Sequence, residues 1–285
     1  MNSFIHENRR QTGVFGFLLS KISVVWGIIL INILVFIAEA VLISVYPNSI
    51  NYFALNAQNI LQGKYLWTLL THMFSHVQFF HLFVNMFSLY FVGRVVEKII
   101  GRKRFIWFYL IAGLFAGVLS VLLSGFFGFG IWERILGSPT IPMLGASGAI
   151  FGLVGLLAVI VPYAQVYLIA GPLIAIILEA ILGIFVKSAV LLGILGLAVN
   201  IYIILSIFLM FSFNPGTRRL IIPIKMPFWL LPFVAILPLV IIGLFVFLPI
   251  GNVAHFGGLV AGLVYGFYLK AKYRKKVSMI QRYFR

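Results

Sequence analysis

Gly145-Ala146-Ser147-Gly148-Ala149-Ile150-Phe151-Gly152 sets one serine between small residues at the head of a long apolar run. Its counterpart is Asn252-Val253-Ala254-His255-Phe256-Gly257-Gly258, where a histidine opens another apolar run. A serine hydroxyl is a poor nucleophile until a base takes its proton, and histidine is the usual base. Either side chain inside lipid is costly and so marks a site by default. The expectation is that Ser147 and His255 meet as a catalytic pair within the membrane, framed by the rest of the chain.

The composition agrees with a membrane setting. The chain has 285 residues, of which 63% are hydrophobic and 9% charged, and its mean hydropathy is +1.15. Soluble domains carry about 25% charged residues, so this is read as a polytopic membrane protein. Cysteine is absent, which excludes disulfides and a thiol nucleophile. Aspartate is absent too, because the five acids are Glu7, Glu39, Glu97, Glu133 and Glu179. That excludes an aspartyl intramembrane protease. The net charge of +16 is read as loops facing anionic lipid headgroups, with no nucleic-acid partner. The first apolar run is long enough to span and lacks a clear cleavage site, so no cleavable signal is expected.

A span needs about 20 apolar residues, and eight candidates follow: about 22–44, 74–93, 105–125, 147–162, 166–186, 188–211, 228–249 and 253–270. Residues 1–21 form a short basic N-terminus, 22–270 the membrane domain, and 271–285 a basic tail. The mixed segment 45–73, with Pro47, Gln58, Gln62 and Trp67, is too polar to span and suits the interface. With the N-terminus cytoplasmic, eight crossings leave only Lys64, Arg134 and Lys187 of 21 basic residues outside, as the positive-inside rule requires. Four crossings separate Ser147 from His255, so both are expected near the outer surface, with both termini cytoplasmic in a cell membrane.

Gly148 and Gly152 are four apart, as are Gly258, Gly262 and Gly266. Small residues at this spacing let membrane helices approach closely. By itself the pattern means packing. Beside Ser147 and His255 it also offers the approach that a hydroxyl and an imidazole need. The second run opens with His72, His76, His81 and Asn85. His81 and Asn85 share a helical face, and two donors there suit a developing oxyanion. The plain reading is a polar patch satisfied by neighbouring helices. A metal reading of His72 and His76 is weak, because no HExxH occurs and no carboxylate is close in sequence; neither metal nor cofactor is expected. Glu97 is expected to pair with nearby loop arginines. Glu39 and Glu179 sit in apolar runs with no partner visible in the sequence.

Gly145-x-Ser147-Gly148, Ala254-His255-x-x-Gly258, His81-x₃-Asn85 and Val96-Glu97-Lys98, in this order, make the chain resemble the rhomboid intramembrane serine proteases over most of 22–270. The resemblance implies an all-α fold with a six-helix core, and hence two extra helices, inserted at about 166–211. It implies Ser147 as nucleophile, His255 as general base, and an oxyanion hole from the Ser147 backbone N–H, His81 and Asn85. Gly145, Gly148, Phe151, Gly258 and Gly262 would support them. The 45–73 segment would be the half-submerged first loop, and the seventh span a lateral gate. Three features depart from the family pattern. Trp67-Thr68 stands where Trp-Arg is usual, Phe151 stands where a tyrosine is common, and 108 residues separate serine from histidine where roughly fifty are usual. The expected function is cleavage of transmembrane substrates near the outer face by a Ser–His dyad. The rivals are a catalytically silent protein that binds membrane clients, and a transporter or channel lined by broken helices.

Overall fold

A computed structural model describes residues 23–211, 214–245 and 251–284. The expected N-terminal arm at 1–21 and positions 246–249 of the seventh run lie outside the described residues. Eight apolar helices follow in chain order: α1 (Val24–Val45), α2 (Phe79–Ile100), α3 (Arg102–Phe127), α4 (Ser147–Ile160), α5 (Ala170–Phe185), α6 (Ala189–Leu209), α7 (Phe228–Phe245) and α8 (Asn252–Lys272). Six are long and apolar enough to cross a bilayer, while α4 and α5 are shorter. A further helix, α9 (Arg274–Tyr283), is polar and basic and occupies the expected tail. The fold is therefore the helical membrane architecture expected.

Backbone chemistry explains the helix ends. In lipid every N–H and C=O must be satisfied within the segment, so apolar runs become helices. Tyr46, forced extended by Pro47, ends α1 at φ −130 and ψ 86. Gly101, at φ +83, breaks the continuous rod between α2 and α3. The second run is one helix with a π turn at Leu89–Gly93. Glu97 does more than pair with an arginine. Its Oε1 lies 3.5 Å from Arg102 Nε. The same oxygen accepts the Val24 N–H at 2.9 Å, and the carboxylate also accepts the Ser23 hydroxyl. It thus caps α1, a favourable place for negative charge.

The described chain forms two compact units. One holds the described residues through Leu157 together with Val253–Gly266, and the other holds those of Ala158–Asn252 and Phe267–Arg285. In the first unit, the segment after α1 is tied down without the usual Trp-Arg pair. Leu55 and Met143 exchange two backbone hydrogen bonds of 2.7 Å. Asn56 Nδ2 donates to the Thr140 carbonyl at 2.8 Å. Trp67 Nε1 donates to the Tyr52 carbonyl at 2.9 Å, inside an edge-on cluster of Tyr52, Tyr65 and Trp67.

The second unit adds a feature the sequence reading did not contain. Residues Gln165–Ile169 form a strand, β1, and the helix expected from 166 starts only at Ala170. β1 pairs antiparallel with β2 (Pro223–Pro227), from Gln165 opposite Pro227 to Ile169 opposite Pro223. Val166, Tyr167 and Ile169 favour such a ribbon. The proline ends of β2 lack N–H groups, which suits a strand without a further partner. The Ala170 and Gly171 N–H groups bond to the Ile222 and Ile221 carbonyls at 3.1 Å, and Tyr202 Oη donates to the Leu220 carbonyl at 2.7 Å. Chain entry and exit of 170–222 are therefore side by side, with α5 and α6 as a hairpin beyond this neck. Replacing 170–222 by Asn-Gly should convert the neck into an ordinary two-residue hairpin. The expected result is a folded protein whose serine still labels with a fluorophosphonate. Loss of labelling with a folded protein would show that the extra helices belong to the functional frame.

Candidate functional site

Ser147 is the first residue of α4, and His255 lies in the first turn of α8. Their side chains meet, with His255 Nε2 2.9 Å from Ser147 Oγ. The Phe151 ring, one turn along α4, stacks on His255 with centroids 4.5 Å apart at 24°. The contact a tyrosine would make by packing is thus made by phenylalanine, which leaves no hydroxyl there.

The glycines explain why the two helices come this close. A Cβ on Gly258 would overlap the Gly148 carbonyl oxygen and lie 3.1 Å from the Gly152 nitrogen. One on Gly262 would overlap the Gly152 carbonyl oxygen. From the other side, a Cβ on Gly148 would sit 2.8 Å from Ala116 Cβ, and one on Gly152 2.6 Å from Ala112 Cβ. Backbone thus packs on backbone along α4 and α8, with α3 closing the third side through alanines. This is the small-residue packing that membrane helices use when side chains would hold them apart.

Gly145 turns the chain into α4 at φ +120, a conformation that L side chains rarely adopt. Its N–H donates to the His72 carbonyl at 2.9 Å. A Cβ there would lie 2.7 Å from His81 Cε1, so the turn and the His81 ring occupy one space. His81 also meets His76 edge-on, with centroids 5.0 Å apart. Asn85 is buried and its Nδ2 donates to the His81 carbonyl at 2.8 Å, which leaves the second amide hydrogen for another acceptor. At the N-terminus of α4 the first N–H groups have no helical partner and form the positive end of the helix dipole.

His72 and His76 belong to the packing around this turn. His72 Nδ1 donates to the Thr68 carbonyl at 2.9 Å, and its ring lies against Gly117 of α3. Burial holds the His72 imidazole down to about 4, so it is neutral at physiological pH. His76 Nε2 approaches the Ala146 nitrogen at 3.5 Å. Among the described residues no group of three or more His, Cys, Asp or Glu side chains is arranged to hold a metal ion.

The fold also gives Glu39 a partner. Glu39 is 1% exposed, and its Oε2 accepts the His76 backbone N–H at 3.0 Å. It therefore fixes the backbone beside Gly145 and His81 from a helix 37 residues earlier. Its position in an apolar run was the signal, but the long separation hid the contact. Glu39→Ala leaves a buried donor unmet, which costs about 1–3 kcal/mol. Melting temperature and serine labelling should both fall. Glu39→Gln keeps an acceptor and should lose much less, whereas equal losses would remove this hydrogen bond from the explanation.

The geometry defines a class: a polytopic helical membrane protein with a serine–histidine pair on a seam of small residues. Residues 63–200 match the model of the Rhomboid domain. The chain is 37% identical over 98 residues to Rhomboid protease GluP of Bacillus subtilis (strain 168), covering 34% of this chain and 16% of that protein. It is 31% identical over 157 residues to RHOMBOID-like protein 12, mitochondrial, of Arabidopsis thaliana, covering 53% and 45%. It is also 29% identical over 96 residues to Inactive RHOMBOID-like protein 8 of the same plant, covering 34% and 23%. These matches support a member of the rhomboid family. It spans less than half the length of each of these relatives. The matched stretch includes His72, His76, His81, Asn85 and Ser147 and ends before His255, which the contact with Ser147 brings beside it.

Proposed function

We propose that the chain is an intramembrane serine endopeptidase that cleaves transmembrane segments with a Ser147–His255 dyad. The observation that carries this reading is the 2.9 Å contact between Ser147 Oγ and His255 Nε2 at the head of two apolar helices. His255 Nε2 takes the hydroxyl proton as Oγ attacks the scissile carbonyl. The resulting oxyanion is received by the Ser147 N–H at the α4 N-terminus and by His81 and Asn85. The imidazolium then gives its proton to the departing amine, leaving an acyl ester on Ser147. Water, deprotonated by His255, hydrolyses that ester. The reaction requires neither metal nor cofactor.

α4 has 14 residues, or about 21 Å of helix, against a hydrocarbon core of about 30 Å. A short helix that begins at the nucleophile keeps Ser147 below one membrane surface yet within reach of water. The charge distribution favours cytoplasmic termini and a cut near the outer face of a cell membrane. The substrates on this reading are transmembrane proteins. One relative is named a protease and another inactive, so activity is the point to test. Purified protein should form a covalent adduct on Ser147 with a fluorophosphonate and should cut a reporter transmembrane substrate. Binding of the reporter without adduct or cleavage would support the silent client-binding reading instead.

A further inference from the structure

Beyond the site, the last turns of α8 and the helix α9 form an open cleft. It measures about 490 Å³ and is lined by Phe267, Lys270, Ala271, Arg274, Val277, Ser278 and Gln281. Lys270 and Arg274 both line it, on either side of the elbow where Tyr273 breaks the rod at φ −121 and ψ 42. Phe267, Ala271 and Val277 supply an apolar floor, while Ser278 and Gln281 offer a hydroxyl and an amide. α9 is docked through buried Val277 and through Gln281 Nε2, 3.5 Å from the Val159 carbonyl. Residues 267–285 hold seven Lys and Arg side chains and no acid. α8 has 21 residues, or about 32 Å. That length matches the hydrocarbon thickness of about 30 Å and sets its final turn at headgroup depth.

The geometry points to a binding site for one anionic phospholipid, with its phosphate between Lys270 and Arg274, its glycerol region against Ser278 and Gln281, and an acyl chain along Phe267. Charge complementarity selects an anion, and the apolar floor continuing into a membrane helix selects one that carries a chain. This site rests on the multi-pass membrane reading and is independent of the protease reading.

The test uses the full chain purified in neutral detergent, with phosphatidylglycerol or phosphatidylcholine of the same acyl composition added. Bound lipid is counted by native mass spectrometry. The wild type should retain phosphatidylglycerol over phosphatidylcholine. Lys270→Gln with Arg274→Gln should weaken that retention roughly 30-fold, on the scale of two surface charges. Lys275→Gln with Lys276→Gln removes the same charge outside the cleft and should leave retention near wild type. Equal loss in both doubles, no loss in either, or full competition by inorganic phosphate would overturn the proposal. Displacement by a soluble acidic peptide would do so as well. Should the cleft double unfold, Arg274→Gln alone, an exposed side chain, is read in the same way. Serine labelling of the same samples separates this outcome from the function. Lipid loss with labelling intact concerns the cleft alone, while absent labelling with selective lipid retention concerns the dyad alone.

Discussion

Ser147→Ala is expected to abolish both fluorophosphonate labelling and cleavage of a reporter transmembrane substrate while the protein remains folded. Deleting the nucleophile costs on the order of 10⁶ in kcat in a well-studied serine protease. The structural loss is small by comparison. The Ser147 hydroxyl meets His255 Nε2 at 2.9 Å, and a typical hydrogen bond contributes about 1 kcal/mol net. The helix start itself rests on Gly145, whose turn and N–H bond to His72 are untouched. Activity and stability should therefore separate widely. Cleavage that persists in a folded Ser147→Ala protein would show that another group attacks the substrate.

Gly258→Val should be nearly as damaging through a different physical route. A Cβ at this position overlaps the Gly148 carbonyl oxygen, and a backbone group cannot rotate aside as a side chain can. The two helices must then part, or the variant must pay about 1–3 kcal/mol or more for overpacking. His255 is three residues ahead on the same helix, so separation is transmitted to the 2.9 Å contact. A displacement of about 1 Å can cost on the order of 10²-fold in rate. Labelling should thus fall further than the melting temperature predicts. Gly27→Val is the control, because a Cβ on Gly27 meets nothing within 4 Å. Full labelling of Gly258→Val would mean that the seam does not set the distance between the reacting atoms.

Much of this arrangement follows from local sequence. Apolar runs long enough to span become helices because lipid leaves the backbone no other partner, and all eight expected runs contain one. Ser147 and His255 stood out because polar side chains at the head of such runs need a reason. The glycine spacing announced close approach on α4 and α8, since a fixed period on a helix defines a face. What that pattern could not supply was the partner across each contact. Glu39 reaches the His76 N–H, Glu97 caps α1, and β1 pairs with a strand that follows α5 and α6. Each is a meeting of residues distant in sequence, and no local preference encodes it. Ala112 and Ala116, which close the glycine seam, were unremarkable small residues until α3 was set against α4. The sequence by itself determined which segments are helical and which side chains are chemically exceptional. Only the tertiary structure decided which of them touch, because distances of about 3 Å between remote segments are set by how whole helices pack.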